Sequence, residues 1–149
     1  MPFEKSAGAI IFYREKDGEI RYLLLKHSDD YWNFPKGRVE KNETEIATVK
    51  REIKEEAGIK KIKIITGFKA WYKYFYQAPK DPEDIKKRGK AIFKIVIFYM
   101  AQTNDKKVKV SFEHQGHEWL PFEFALTKLK YKNSQEILKK ADDFLSRVS

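Results

Sequence analysis

Residues 37–59, GRVEKNETEIATVKREIKEEAGI, constrain this chain more than any other stretch. They open on Gly37, carry a glutamate six residues later at Glu43, and close on the block Arg51-Glu52-Ile53-Lys54-Glu55-Glu56-Ala57-Gly58-Ile59. Thr44 to Ala57 is predicted to be a helix, capped at its start by Asn42 and ended by Gly58, where a left-handed residue is easiest to place. At about 100° per residue, Glu52, Glu55 and Glu56 share one helix face, with Glu45 and Thr48 a turn or two earlier on it. Ile46, Val49, Ile53 and Ala57 form the neighbouring apolar stripe, so one face docks on a core and the next carries acids.

Three carboxylates at helical spacing repel one another, and an ordinary surface helix relieves that with interleaved lysines. Here Lys50, Lys54 and Arg51 lie off the acidic face. Two readings follow: a solvated acidic face, or a cluster of hard oxygen ligands suited to Mg²⁺ or Mn²⁺, ions that keep several waters and bridge to substrate phosphates. The full spacing decides between them. It runs Gly, five residues, Glu, seven residues, then Arg-Glu-apolar-x-Glu-Glu-x-Gly-apolar. If each of its seven fixed types occurs at roughly 6%, a chance match is on the order of one in 10⁹ per start position.

This pattern resembles the Nudix box and departs from it nowhere. The resemblance implies an α+β fold, an α/β/α sandwich with a central mixed β-sheet between helices. It also implies a metal-dependent pyrophosphohydrolase that cleaves a nucleoside diphosphate linked to another moiety. Carried over residue by residue, Glu52, Glu55 and Glu56 become the metal-binding acids and Gly37 lends a backbone carbonyl. Arg51 orients Glu52, and Glu43 supports the helix N-terminus. Mg²⁺ is the expected cofactor, with Mn²⁺ as the alternative.

At 149 residues the default is one domain, 1–149, and 42% hydrophobic and 15% aromatic residues suffice to fill its core. No apolar run is long enough to span a bilayer, and MPFEKSAGAIIFYR carries charge where a signal peptide needs apolar residues. With no cysteine, disulfides and thiolate metal sites are excluded, which suits a cytoplasmic protein. The net charge of +9 comes from 31 basic residues, 25 of them lysines, set among 22 acids along the whole chain. This balance favours heat adaptation and attraction for a small polyanionic substrate over nucleic-acid binding, since no arginine-rich tract or internal repeat is present.

In chain order, Phe3 to Tyr13 reads as a strand in which Gly8 marks a bulge or a close backbone approach. Lys16-Asp17-Gly18-Glu19 is a hairpin turn, and Ile20 to Lys26 returns. The run Leu23-Leu24-Leu25 calls for burial on both faces of the sheet. His27 to Lys36 reads as a loop carrying two exposed aromatics, Trp32 and Phe34. Lys36, just ahead of the box, is placed to neutralise a phosphate oxygen. Ile62 to Tyr76 is one long strand or a pair broken at Gly67. Its alternation sets Tyr72, Tyr74 and Tyr76 on one side, as base-stacking platforms or cross-strand packing, and Trp71, Lys73 and Phe75 on the other. Gln77 to Lys90 is a polar insertion ending in a basic cluster, either a lid or a phosphate clamp. Ala91 to Ala101 is a central strand, and Val108 to Phe112 is expected to continue the sheet. His114 and His117 lack a third nitrogen or sulfur neighbour, which argues against zinc. Ser134 to Val148 is a helix docking through Ile137, Leu138, Ala141, Phe144 and Leu145.

Beyond the box the chain resembles the asymmetrical diadenosine tetraphosphate hydrolases. The matching segments are Ser6 to Phe12, Leu23 to Leu25, Trp32 to Gly37, Gly67-Phe68-Lys69, Glu113-His114-Gln115 and Trp119-Leu120. Arg38 stands where many members have histidine. The resemblance implies hydrolysis of a dinucleoside polyphosphate, typically to ATP and AMP, with Glu52 or Glu113 as general base. It places an adenine-stacking tyrosine at Tyr74 and a phosphate-binding lysine at Lys90. Alternatives within the same chemistry are ADP-ribose, RNA 5′ ends, oxidised nucleoside triphosphates and longer adenosine polyphosphates. A non-catalytic nucleotide or RNA sensor is the alternative outside it.

Overall fold

The computed structural model describes residues 3–79 and 88–148, with side chains for 3–77 and 91–148. A hairpin formed by β1 (Phe3–Arg14) and β2 (Ile20–Ser28) turns at Gly18, whose φ of 92° falls in the left-handed region that glycine tolerates. The His27–Lys36 segment, expected to be a loop, instead forms β3 (Tyr31–Asn33) and leads into β4 (Lys36–Arg38). Both pair antiparallel, β3 with β2 and β4 with β1. Phe34, expected to be exposed, is fully buried, because pairing on either side of it turns its ring onto Phe98, 5.6 Å away.

Helix α1 (Glu45–Ala57) follows. Its cap is Thr44, not Asn42: the Thr44 hydroxyl accepts from the Ala47 amide at 3.1 Å, whereas Asn42 sits in the preceding turn at φ 66°. Gly58 ends the helix at φ 67°, donating to the Lys54 carbonyl as the spacing predicted. Residues 62–76 resolve into a pair, β5 (Lys63–Ile64) and β6 (Ala70–Pro79), separated at Gly67 with φ 97°. The long β7 (Arg88–Gln102) is central, parallel to β1 and antiparallel to β5 and β6. The Gln77–Lys90 insertion begins and ends in β6 and β7; its middle, 80–87, lies outside the described residues. Residues 108–112 do not extend the sheet. Their backbone runs along the end of α1 instead, with Lys109 N donating to Ala57 O at 2.9 Å. Strand β8 (Gly116–Pro121), α2 (Phe122–Lys128) and α3 (Lys132–Val148) complete the described chain.

The mixed sheet is covered on both faces. Ala7, Ala9, Ile11, Leu23 and Leu25 meet Val49, Ile53 and Ala57 of α1. Ile10, Phe12, Leu24, Phe98 and Met100 meet Ala125 of α2 and Ile137, Leu138 and Ala141 of α3. The three leucines thus alternate between two cores, each fully buried, contributing about 1.5–3 kcal/mol apiece. No helix among the described residues is long and apolar enough to cross a membrane.

Candidate functional site

Strand β1 pairs with β4 through Ser6–Gly8 and with β2 through Phe12–Arg14, and Gly8 is where the chains close in. A Cβ there would fall on the Pro35 carbonyl oxygen and lie 2.6 Å from Lys36 Cβ, so the close approach, not a bulge, explains this glycine. The packing presses β4 under α1. A Cβ on Gly37 would in turn collide with the Glu52 carboxyl group, so only glycine lets that carboxyl rest against the strand.

Arg51 organises the acids. Its Nε and Nη2 clasp both oxygens of Glu43 at 2.7 and 2.9 Å, and Nη1 donates to Glu52 Oε1 at 2.7 Å and to Glu55 Oε2 at 3.4 Å. Nη2 also reaches the Arg38 carbonyl at 2.9 Å, tying helix to β4. Glu43 further accepts from Thr48 and from the Glu40 amide, and these partners hold its carboxyl down at about 2. Thr48 and Glu45, expected on the acidic face, turn elsewhere. Thr48 is buried against Glu43, and Glu45 binds Lys5, Lys69 and Tyr99.

Glu52 and Glu56 are buried at 8% and 9% exposure, whereas Glu55 is open to solvent. Burial raises the pKa of both, and the two carboxyls share a hydrogen bond; Glu56, pressed further by the Glu52 charge, reaches about 8. Glu56 Oε2 accepts from the Lys36 amide at 3.2 Å and lies 3.9 Å from His114 Nε2. Together Glu52, Glu55, Glu56 and Glu113 line a groove of about 490 Å³ walled by Ser111 and Phe112. Among the described residues no three carboxylates or imidazoles already stand converged as a metal cluster. The donor set nevertheless fits a divalent cation. Hard oxygens meet in one groove, and two of them are buried acids whose mutual repulsion a cation would relieve.

On the far side of Lys36 lies a pocket of about 330 Å³, lined by Tyr31, Lys36, Tyr72, Tyr74, Tyr131 and Asn133. Tyr72 and Tyr74 stand side by side with ring centroids 6.2 Å apart, and Tyr31 meets Tyr131 edge-on at 5.4 Å. Lys36 therefore joins the acidic groove to the aromatic pocket. Burial and the nearby Lys94 charge lower its pKa, while Glu56 and Glu52 pull it back up. Lys94, opposite Tyr74 in register, escaped the sequence reading, as did Tyr31, Tyr131 and the His27–His114 pair behind Glu56, whose rings lie 4.5 Å apart. For Lys94 the signal was present: it is a lysine inside the apolar run of residues 91–101, four residues from Lys90. Lys90 belongs to β7 by its backbone, but its side chain falls outside the described residues. His117 is exposed on β8.

A NUDIX domain model matches residues 2–141. The chain is 32% identical to the bis(5′-nucleosyl)-tetraphosphatase [asymmetrical] of Sus scrofa, with 97% of each chain covered. It is also 32% identical to the enzyme of that name from Caenorhabditis elegans, over 95% of this chain and 96% of the relative. A solved C. elegans Ap4A hydrolase in a binary complex superimposes with a TM-score of 0.76 at 32% identity, covering 97% of this chain and 98% of the other. Box, sandwich and full-length similarity agree: the chain belongs to the NUDIX domain family.

Proposed function

We propose that this chain hydrolyses dinucleoside polyphosphates, diadenosine tetraphosphate foremost, to ATP and AMP with Mg²⁺. The observation that carries the reading is Lys36, which lines the tyrosine pocket while its amide donates to Glu56 of the four-glutamate groove. Such an arrangement suits a ligand that is polyphosphate at one end and a flat base at the other. The similarity to enzymes named as asymmetrical tetraphosphatases supports it. Gly37, Glu52, Glu55 and Glu56 would hold the metal, which when bound polarises a phosphate and lowers the pKa of a bound water. Arg51 fixes Glu52 through Oε1. Glu52 or Glu113 takes the proton of the attacking water. Lys36 and Lys94 stabilise charge on phosphate oxygens, with Lys90 as a further candidate. Tyr72 and Tyr74 stack the base. The whole chain acts as one domain, and a small nucleoside polyphosphate is its partner at this site.

Incubating the purified protein with diadenosine tetraphosphate, ADP-ribose, 5′-triphosphate RNA and oxidised nucleoside triphosphates, each with Mg²⁺ and then with chelator, tests this directly. Metal-dependent release of ATP and AMP from the first, fastest of the set, is expected. Faster turnover of any other substrate would overturn the assignment. The absence of cysteine supports a cytoplasmic home, and the lysine- and glutamate-rich composition supports heat adaptation.

A further inference from the structure

A second groove, of about 830 Å³, lies apart from the tyrosine pocket, where Gly58–Lys61 pass beside residues 105–109. Lys60, Lys61, Lys106, Lys107 and Lys109 line it against a single acid, Asp105, whose carboxylate already accepts from the Lys107 amide. Lys106 pairs with Glu15 at 2.8 Å. Lys60, Lys61, Lys107 and Lys109 are exposed and make no ion pair among the described residues. An adjoining hollow adds Lys63. The backbone carrying these lysines is pinned: Lys109 N donates to Ala57 O, and a Cβ on Gly58 would lie 2.9 Å from Lys109 O. Fixed like charges concentrated in a concave surface raise the local density of polyanions.

The same segment runs on into the hydrolytic groove. Ser111 N donates to Glu56 O at 3.2 Å, and Ser111, Phe112 and Glu113 wall the acids. From Lys109 to Glu113 the chain spans at most about 14 Å. Between them Phe112 is 97% exposed, held at the tip of a turn closed by His114 N on Ser111 O at 3.0 Å. A row of cations beside one presented aromatic face is the arrangement that grips a phosphate backbone and stacks an unpaired base. We infer that the lysine groove and Phe112 bind single-stranded nucleic acid and lead one end of it toward the carboxylates. Phe112 distinguishes this from a site for inorganic polyphosphate, which has no base to stack. The inference goes beyond the hydrolytic reading, and its binding measurement needs no turnover.

Fluorescence anisotropy of a 3′-labelled single-stranded RNA oligomer, with the full chain in chelator over a series of salt concentrations, is the test. The triple variant Lys61→Glu/Lys107→Glu/Lys109→Glu should bind at least about tenfold more weakly. Its slope of log K against log salt should fall by about 2, at 0.7 per phosphate contact. Phe112→Ala should weaken binding by about tenfold. Turnover of diadenosine tetraphosphate by the triple variant, with Mg²⁺, should match the unchanged chain. No RNA binding by the unchanged chain at physiological salt, or equal binding by the triple variant, overturns the inference. So does displacement by inorganic polyphosphate with no effect of Phe112→Ala, which marks a polyphosphate site. Loss of turnover in a folded triple variant overturns the separateness of the groove.

Discussion

Replacing Glu56 with glutamine should make the metal-free protein more stable at alkaline pH. Glu56 is 9% exposed and shares a hydrogen bond with Glu52, and burial with the Glu52 charge lifts its pKa from the ordinary 4.5 to about 8. An acid whose pKa rises on folding binds its proton more tightly when folded. Stability is then greatest below the unfolded value of 4.5, falls as pH climbs toward 8, and is level above it. At about 1.4 kcal/mol per pH unit the whole shift would amount to about 5 kcal/mol. Because Glu52 carries part of the same strain and groove water reaches the pair, about 2–3 kcal/mol is the expected effect. Glutamine keeps an oxygen for the Lys36 amide and offers Glu52 a donor. Urea denaturation in chelator should therefore show Glu56→Gln more stable by about 2–3 kcal/mol at pH 8, the gap closing toward pH 4. Millimolar Mg²⁺ should stabilise the unchanged chain and leave the variant nearly where it was. A variant less stable than its parent at pH 8 in chelator would refute the reasoning, since Glu56 would then be a satisfied carboxylate.

Glu52→Gln should slow turnover by about 10²–10⁴-fold with circular dichroism unchanged, and a near-normal rate would remove Glu52 from any essential role. Lys36→Met and Lys94→Ala should each raise KM for the tetraphosphate by about tenfold, a loss of about 1.4 kcal/mol per phosphate contact; initial-rate kinetics with both parameters resolved checks this. Burial and the His114 charge hold His27 at about 4, well below the usual 6.5. The unfolded chain therefore binds the extra proton, and stability is lost as pH falls from 6.5 toward 4. His27→Leu should flatten the denaturation profile in that window.

What could be read from the residues was what depends on short-range spacing. Gly58 as the helix stop, the hairpin at Gly18, the two-faced burial of Leu23–Leu25 and the grouping of Glu52, Glu55 and Glu56 in one groove all follow from fixed periods of 3.6 or 2. What escaped depends on which strands meet. Phe34 looked exposed because its burial needs β4 to pair with the first half of β1 while β2 takes the second half. Residues 108–112 looked like a strand because their alternation is strand-like, but their hydrogen bonds go to the end of α1. Thr44 displaced Asn42 as cap because only its hydroxyl stands over the Ala47 amide. Lys94 and Tyr131 come beside Lys36 from elements far from it in sequence.

The proposed function stands on the carboxylates of α1 holding a divalent cation against a polyphosphate. Electron paramagnetic resonance of Mn²⁺ titrated into the unchanged chain and into Glu52→Gln/Glu56→Gln, with and without a non-hydrolysable dinucleoside tetraphosphate, measures that grip. The unchanged chain should bind Mn²⁺ and bind it more tightly with the nucleotide present, while the double variant should do neither. Equal Mn²⁺ binding by both proteins would refute the proposed metal site.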